Sequence, residues 1–283
     1  WFRLKSSMAD KQINNSINNK QVFNALVLAA SRKGINDEVA KLQNRTHKCV
    51  VELNGIVMIE RVVKTLIESN EFNKIYVSID NPEILNEVNN IKLWIEEQKV
   101  QVIISKNNLS NSILSAVEDI PNPYPLVITA GDNALHTPEM ISFFCSEIRK
   151  SNCDAYIAMT RAKLIIDKYP EGARAFHKLK DDEYSSCNLY AVKNDKGVNG
   201  AKPFATGGQF GKKPMRIARA FGITSLLMYK LQMLSLNDVA SRISKAIKAK
   251  VSCVIMPWAE GPIDVDNAKD FKLVNKILKE KEG

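Results

Sequence analysis

The sequence lacks the marks of several common protein classes. Its five cysteines are odd in number and never stand at CxxC spacing, which argues against a structural zinc site and a disulfide framework. No apolar run approaches the roughly 18 to 20 residues needed to span a bilayer. Residues 1–22 are polar and have no long apolar core of a secretory signal, so we expect a disordered lead-in. A reducing cytoplasm is the expected compartment.

Two families of nucleotide-binding signature are also missing. Neither the Walker A sequence nor the dinucleotide-binding GxGxxG occurs, which removes the main support for an ATPase or a dehydrogenase. Aromatic residues make up only 7% of the chain and do not alternate with basic ones, so we expect no nucleic-acid partner. The net charge of +9 fits a polyphosphate or another anionic partner, but a lysine-rich proteome would produce the same excess.

What the sequence does contain is an alternation of short β-branched runs and helical periodicity from Phe23 to Thr160. This pattern is typical of an α/β fold with a mostly parallel, Rossmann-like sheet that carries helices on both faces. The predicted strands cover residues 25–30, 74–79, 100–104, 126–129 and 155–159. The predicted helices cover residues 58–67, 82–97, 110–120 and 137–149, with Thr137 as the N-cap of the last.

The pattern changes after Arg161. Two runs that flank an Asp-Asp-Glu-Tyr turn predict an antiparallel hairpin, and a later stretch with five glycines predicts a loop. In chain order, the predicted elements are hairpin strands at 173–180 and 186–192, a loop at 194–211, helical structure at 213–248, a strand at 251–257 and a helix at 268–279. We expect one domain over residues 23–283, with an acceptor-side and helical insertion at about 161–248.

The segment from Phe23 to Lys48 carries the first functional signal, because a buried strand there runs straight into a basic loop that ends at Gly34. Ligands collect at strand-end loops of open α/β sheets, and a backbone with little side-chain bulk can bring its N–H groups to phosphate oxygens. Arg32, Lys33 and Lys48 would supply the positive charge. The segment therefore predicts a site for the phosphates of a nucleotide.

Two aspartate-bearing segments are candidates for a metal site. An apolar run delivers Asp132 to the carboxyl end of a strand, where a carboxylate is well placed to hold Mg²⁺. Near the end of the chain, Asp264 and Asp266 occupy alternate positions of a predicted short strand and would share one face. The alternative is structural, since Asp132 would cap the next helix and Asp266 or Asn267 the last one.

The order of these segments resembles the MobA-like NTP transferases, which are nucleotidyltransferases of the GT-A type. Residues 28–34, Leu-Ala-Ala-Ser-Arg-Lys-Gly, stand where that family has Leu-Ala-Ala-Gly-x-Gly-x-Arg. Residues 46–48 and 54–62 resemble its Pro-Lys and Gly-Lys-Pro-Met-Leu-Glu-Arg-Val segments. Residues 111–116 resemble its base-side Ser-Val-x-x-Ala helix, and residues 129–132 resemble the strand end that carries its metal-binding aspartate. Residues 264–270 resemble its last motif, Asp-x-Asp-Thr-Pro-Glu-Asp. The match runs from about residue 23 to 280.

The resemblance implies a GT-A-like fold and transfer of a nucleoside monophosphate from an NTP to a small phosphorylated or hydroxyl acceptor, with release of pyrophosphate. It places Mg²⁺ on Asp132 and Asp266, with Asp264 as a further metal-binding residue. The implied catalytic residues are Lys48, Arg32 and Asp132. The implied nucleotide-binding residues are Ala29, Ala30, Ser31, Arg32, Lys33, Gly34, Lys48 and Ser112, the last of them near the base.

Three departures from the family pattern keep other functions open. Ser31 and Lys33 replace the two glycines that allow the closest phosphate approach, and His47 replaces the proline before Lys48. Either the loop grips phosphates differently, or the donor site is altered or lost. The alternative functions are a GT-A glycosyltransferase that uses a nucleotide-sugar and a nucleotide-binding module without catalysis.

Other polar residues give weaker signals. Arg161, Arg174 and Asn188 lie where an anionic acceptor could bind, although a lone arginine is more often a solvated surface group. His177 lies on a predicted strand and is interpreted as structural. Cys187 has no adjacent base, so we interpret it as a buried, inert thiol rather than a nucleophile.

Residues 212–234 combine a basic start with a long apolar stretch. One hypothesis is that this segment makes a peripheral contact with a membrane surface and presents a lipid-linked acceptor. The alternative is a pair of core-packed helices with a solvated basic end.

Overall fold

The structure, a computed structural model, describes residues 21–31, 34–172, 176–204 and 222–283. Within these ranges, the strands in chain order are β1 (Phe23–Leu28), β2 (Glu52–Leu53), β3 (Ile56–Val57), β4 (Phe72–Ile79), β5 (Val100–Ile104), β6 (Leu126–Ala130), β7 (Ala155–Arg161), β8 (His177–Lys178), β9 (Glu183–Val192) and β10 (Val251–Ile255).

The helices alternate with the strands through most of the chain. In chain order they are α1 (Glu38–Lys41), α2 (Met58–Glu68), α3 (Asn89–Glu96), α4 (Leu109–Asp119), α5 (Pro138–Lys150), α6 (Ala162–Lys168), α7 (Asp195–Val198), α8 (Ile223–Lys230), α9 (Leu236–Ile247) and α10 (Ala268–Glu282). Short 3₁₀ helices cover Gly34–Asn36, Lys48–Val50, Pro82–Glu87, Pro170–Gly172 and Asn199–Phe204.

One mixed sheet organises the molecule, with the strand order β10-β7-β9-β6-β1-β4-β5 and β8 paired to β9. The pairs β1–β4, β1–β6, β4–β5 and β7–β10 are parallel. Strand β9 is antiparallel to its neighbours β6, β7 and β8. A separate antiparallel hairpin joins β2 to β3. The carboxyl ends of the parallel strands therefore meet at one edge of the sheet, which is where such sheets bind ligands.

Each face of the sheet has its own core, because successive side chains of a strand point to opposite faces. On β1, Ala25 and Val27 pack with helices α2 and α5, whereas Leu26 packs on the other face with α4. All three side chains are fully buried. Burial on both faces explains why this strand reads as a continuous apolar run rather than an alternating one.

The predicted α/β fold is confirmed, and the strand at 100–104 has the predicted bounds. Thr137 caps α5, since its hydroxyl oxygen accepts a hydrogen bond from the Met140 N–H at 3.4 Å. The predicted hairpin is also present, with β8 paired to the start of β9.

Three predicted elements were wrong in detail. The single helix expected at 82–97 is a 3₁₀ helix followed by α3, because Val88 between them is extended at φ −104° and ψ 101°. The loop expected at 194–211 contains α7, whose first turn is capped by the Asn194 side chain at 3.1 Å from the Gly197 N–H. The helical stretch expected at 213–248 is interrupted between α8 and α9, where a capping box of Ser235 and Asp238 starts the second helix.

A buried carboxylate anchors the segment that follows β10. Glu260 is 2% exposed, and its Oε1 accepts hydrogen bonds from Lys168 Nζ at 2.7 Å and from Tyr169 Oη at 2.8 Å. The Nζ of Lys281 on α10 lies 2.8 Å from the same oxygen. Burial alone would raise the pKa of Glu260, but the hydrogen bonds from Lys168, Lys281 and Tyr169 outweigh it and lower the pKa to about 2.

This anchor predicts a specific acid sensitivity. The folded pKa of Glu260 lies below the unfolded value of about 4.3, so its stabilisation is complete above that pH and disappears as the pH falls toward 2. We expect Glu260→Gln to lower the free energy of unfolding by on the order of 3 kcal/mol at pH 7 and by clearly less at pH 3. Urea unfolding at both pH values measures the difference.

The matched control for this prediction is Glu171→Gln, which removes an exposed carboxylate that lies 3.0 Å from Lys276. Screening by water makes such a surface pair weak, so this variant should unfold almost like the wild type at both pH values. If Glu260→Gln lowered the free energy of unfolding by the same amount at pH 7 and at pH 3, the prediction would be contradicted.

Candidate functional site

The candidate site lies at the carboxyl edge of the sheet, where the chain leaves β1, β4 and β6. Hydrogen bonds continue the strand pairing past the ends of the strands, from the Ala29 N–H to the Ser78 carbonyl and from the Gly131 N–H to the Leu28 carbonyl, both at 2.9 Å. A Cβ on Gly131 would lie 3.3 Å from the Ala29 Cβ, so the two loops approach each other closely. The backbone therefore fixes where the next residues begin.

Three carboxylates converge at this edge. Asp132, Asp264 and Asp266 each bring an oxygen within 4.8 Å of the others, and we call them the carboxylate cluster. Asp264 is buried, while the side chains of Asp132 and Asp266 are 15% and 50% exposed. The Val265 N–H donates to the Asp132 carbonyl at 3.3 Å, which ties the loop after β10 to the loop after β6.

Lys48 supplies a positive charge to the carboxylate cluster. Its Nζ donates to Asp132 Oδ2 at 2.6 Å and to Asp266 Oδ1 at 3.3 Å. Burial would lower the pKa of Lys48, but the charges of Asp132, Asp266 and Asp264 and the hydrogen bond to Asp132 raise it above its ordinary value. The lysine is therefore an ammonium at neutral pH.

The cluster fits a magnesium ion by its donor chemistry. All three side chains offer carboxylate oxygens, which are the ligands that Mg²⁺ prefers. Asp132 Oδ1 is buried and accepts no hydrogen bond from any residue that the structure describes. A buried carboxylate oxygen without a partner is costly unless something binds it, so this atom fits a metal ligand.

The capping alternative is wrong for Asp132 and Asp266 and correct for Asn267. Helix α5 is capped by Thr137, and α10 is capped by Asn267, whose Oδ1 accepts from the Lys269 and Asp270 N–H groups at 2.9 and 3.0 Å. The short strand expected at Asp264 and Asp266 is wrong, because these residues lie in an irregular loop. The irregular backbone of that loop, and not the alternation of side chains along a strand, brings Asp264 and Asp266 together.

Asn188 holds one carboxylate of the cluster through a bulge in β9. In the pairing of β7 with β9, Ile157 lies opposite Tyr190 and Met159 lies opposite Ser186, so the register of the two strands shifts between these pairs. Asn188 adopts φ +49°, a left-handed conformation that asparagine tolerates better than most residues. Its Nδ2 donates to Asp264 Oδ2 at 2.8 Å. The expected contact of Asn188 with an acceptor stays a prediction.

The predicted phosphate loop is described in part. Ala29 is buried and Ala30 is exposed at the end of β1, while Arg32 and Lys33 lie outside the described residues. Gly34 follows at φ +50°, a conformation that glycine adopts without strain. The Ser31 N–H, which would face a phosphate in the resembling loop, donates to Asp80 Oδ1 at 3.0 Å.

Asp80 is a site residue that sequence reasoning missed. It directly follows β4, and its Oδ2 lies 3.2 Å from His47 Nε2, which must be the donor because an ionised carboxylate only accepts. His47 Nδ1 lies 3.0 Å from Thr46 Oγ1. One carboxylate thus joins the loop after β1 to the segment that carries Lys48. Its position at the end of a predicted strand was the available signal.

The remaining candidates lie apart from these contacts. Ser112 is buried, and its hydroxyl oxygen accepts from the Lys106 N–H at 2.9 Å and lies 3.0 Å from the Asn108 carbonyl, so it shapes the turn before α4. Arg161 is exposed at the end of β7 and lies 3.5 Å from Asp182. Arg174 lies outside the described residues.

The surroundings of Cys187 and His177 agree with the structural roles expected for these two residues. Cys187 is 1% exposed, and burial raises the pKa of its thiol to about 12, so it carries no thiolate near neutral pH. His177 Nδ1 lies 2.8 Å from Tyr229 Oη, and burial lowers the pKa of this histidine.

The proposed membrane segment is only partly described, since Lys212, Lys213, Arg216 and Arg219 lie outside the described residues. After them, Leu227, Leu231 and Met233 are 56%, 60% and 54% exposed. In the described ranges we find no helix with the length and apolar character needed to cross a membrane. The peripheral contact stays a prediction.

Several solved structures share this architecture. A protein from Thermus thermophilus described as a hypothetical transferase has a TM-score of 0.72 at 19% identity, with 89% of this chain and 100% of that chain covered. The 4-diphosphocytidyl-2C-methyl-D-erythritol synthase from Anaerococcus prevotii has a TM-score of 0.55 at 14% identity, with 93% and 99% covered. A Methanothermobacter nucleotidyl transferase has a TM-score of 0.52 at 14% identity, with 92% and 99% covered. At these identities the likeness establishes the fold.

The sequence itself places the chain in a family. The model of the MobA-like NTP transferase domain matches residues 25–205, more than half of the chain. The chain therefore belongs to the MobA-like NTP transferase family, a family of nucleotidyltransferases, and the resemblance drawn from its motifs is confirmed. No curated protein matches the sequence significantly.

The support that Asn188 gives to Asp264 can be tested by paired substitutions. Asn188→Ala removes a hydrogen bond to a buried carboxylate and leaves a Cβ without a compensating polar group at φ +49°. We therefore expect this variant to lower the free energy of unfolding by about 2 kcal/mol or more. Asn188→Gly loses the same hydrogen bond without the backbone strain and should be less destabilised than Asn188→Ala. Urea unfolding measures both, and equal or greater destabilisation by glycine would contradict the prediction.

Proposed function

We propose that this protein is a Mg²⁺-dependent nucleotidyltransferase that moves a nucleoside monophosphate from an NTP to a small phosphorylated or hydroxyl acceptor and releases pyrophosphate. The observation that carries the proposal is the convergence of Lys48 with Asp132, Asp264 and Asp266 at the carboxyl edge of the sheet. This is where an open α/β sheet binds its ligand, and the chain belongs to a family of nucleotidyltransferases.

The donor nucleotide is assigned to the loop after β1 and its surroundings. Residues 29–34 would surround the phosphates and offer backbone N–H groups other than those of Ala29 and Ser31, with Arg32, Lys33 and Lys48 as cationic partners. Ser112 would lie near the base, where it holds the turn before α4 in shape. The Ser31 N–H already donates to Asp80, so a carboxylate holds the residue at which the family pattern has glycine.

Asp132, Asp264 and Asp266 are the residues that would hold Mg²⁺. A bound magnesium ion supplies charge neutralisation and orients phosphate oxygens. Asn188 fixes the position of Asp264 for this purpose, and the hydrogen bond between Val265 and Asp132 fixes the distance between the two loops.

The transfer itself needs little covalent work from the protein. An oxygen of the acceptor attacks the α-phosphorus, and the bond from that phosphorus to the bridging oxygen breaks, so pyrophosphate leaves with the electron pair. A hydroxyl acceptor also releases its proton to water in this step. The residues of the site would align the acceptor oxygen and the α-phosphorus and stabilise the charge that develops on the leaving group. Arg161, Arg174 and Asn188 are the proposed contacts of the acceptor.

The comparisons favour nucleotidyl over glycosyl transfer. One structural neighbour is described as a CMP:2-keto-3-deoxy-manno-octonic acid synthetase in complex with CTP, with a TM-score of 0.55 at 10% identity. An NTP is the donor that such a neighbour suggests for this chain. Product analysis separates the two reactions, since nucleotidyl transfer releases pyrophosphate and glycosyl transfer releases a nucleoside diphosphate in most cases. Nucleotide binding without turnover would instead indicate a non-catalytic module.

The donor site can be tested by thermal shift with ATP, GTP, CTP, UTP and common nucleotide-sugars, with and without Mg²⁺. A ligand that binds only the folded state stabilises it by about 2.7 kcal/mol at a hundredfold excess over Kd. We expect a Mg²⁺-dependent rise in Tm for one NTP, and we expect Asp132→Asn to abolish the Mg²⁺ dependence of that rise.

The matched control is Asp167→Asn, which removes an exposed carboxylate of α6 that lies 2.8 Å from Lys163. This variant should keep the full response to the NTP and Mg²⁺. A larger rise in Tm with a nucleotide-sugar than with an NTP would favour glycosyl transfer. If no nucleotide raised the Tm, the proposed function would be overturned.

A further inference from the structure

Lys48 contacts the carboxylate cluster directly. Its Nζ is within 2.6 Å of Asp132 Oδ2 and 3.3 Å of Asp266 Oδ1, so a single ammonium contacts two of the three carboxylates. We propose that Lys48 is the resident counter-ion of the carboxylate cluster, and that its displacement couples the binding of a divalent cation to the binding of the nucleotide. This inference rests on the proposed function.

Lys48 and a metal ion would share the same carboxylates. A magnesium ion binds carboxylate oxygens at about 2.0–2.1 Å, and an ammonium already contacts Asp132 Oδ2 at 2.6 Å. A cation on Asp132 Oδ1, the buried oxygen that accepts no hydrogen bond from any described residue, would lie close to the ammonium on Oδ2, and two positive centres on one carboxylate repel each other. Lys48 in its present position therefore opposes a divalent cation on Asp132 and Asp266, and binding of the cation favours a lysine that turns away.

The structure allows this movement without a change of fold. The backbone at Lys48 is held by a hydrogen bond from the Val51 N–H to the Lys48 carbonyl at 3.1 Å, and the next residue, Cys49, is buried. The side chain is 22% exposed, and its four-carbon stem has several rotatable bonds. Only the end of this side chain has to move.

A triphosphate offers Lys48 an alternative partner. The loop that follows β1 is joined to the segment of Lys48 through Asp80, which contacts both Ser31 and His47. Phosphates bound at that loop would attract the ammonium away from the carboxylates and would at the same time attract the cation. Metal and nucleotide should therefore bind with positive coupling, and linkage makes the coupling equal in both directions.

The test is isothermal titration of Mn²⁺, as a probe for the divalent site, into the full chain without nucleotide. The wild type is compared with Lys48→Met, which removes the charge, and with Lys48→Arg, which keeps it. We expect Lys48→Met to bind Mn²⁺ at least about tenfold more tightly than the wild type, a difference that corresponds to about 1.4 kcal/mol. Lys48→Arg should bind no more tightly than the wild type.

A control separates the local ammonium from net charge. Lys64→Met removes one positive charge at an exposed ion pair, where the Nζ lies 3.7 Å from Glu68, and should leave Mn²⁺ affinity unchanged. A saturating NTP analogue that resists transfer should tighten Mn²⁺ binding to the wild type and should tighten it less in Lys48→Met.

Melting curves at increasing Mn²⁺ concentrations give the same comparison if Lys48→Met is destabilised by repulsion among its carboxylates. Its Tm should respond to Mn²⁺ at concentrations too low to raise the Tm of the wild type. Equal Mn²⁺ affinity in both proteins would overturn the counter-ion role, whereas the proposed function would survive if the wild type still bound an NTP with Mg²⁺. Absence of both NTP and Mn²⁺ binding in the wild type would overturn the two together.

Discussion

The ion pair between Lys48 and Asp132 is the contact on which the arrangement of the site depends. It joins residues 84 positions apart in the chain, and the second contact of the same ammonium, to Asp266, spans 218 positions. Three acidic side chains crowded within 4.8 Å would repel one another without a compensating charge. The lysine therefore lets the chain place its carboxylates close together before any ligand arrives, and this closeness is what a divalent cation requires.

The surroundings of this ion pair show how the fold makes a crowded acidic site tolerable. Asn188 takes up one oxygen of the buried Asp264, and Glu260 fastens the same loop to α6 and α10 through Lys168 and Lys281. Each buried carboxylate is thus matched by a donor on a different element, as buried charges require. Because these donors hold the loop from several sides, the positions of Asp264 and Asp266 do not depend on regular secondary structure.

Sequence reasoning reached the sheet and its acidic edge because both follow short-range rules. A strand buried on both faces is a continuous apolar run, and the residue after such a strand lies at the ligand edge, so Asp132 could be predicted from its neighbours alone. Asp80 also lies just beyond a strand, directly after β4, and was missed, since its role comes from contacts with Ser31 and His47 rather than from spacing. The bulge at Asn188 was unpredictable for a similar reason, because the mismatch between β7 and β9 exists only once the two strands pair.

Strand β9 is the one strand among the described residues that runs against the rest of the main sheet, and it lies between β6 and β7. It therefore divides the main sheet into two parts. Strands β1, β4, β5 and β6, which carry the loops that we assign to the donor nucleotide, lie on one side of β9, and β7, β8 and β10 lie on the other. Only the short register from Leu126–Val192 to Thr129–Leu189 crosses from β6 to β9. The carboxylate cluster draws on both parts of the sheet, because Asp132 follows β6 whereas Asp264 and Asp266 follow β10, so the cluster is complete only when the two parts are joined through β9.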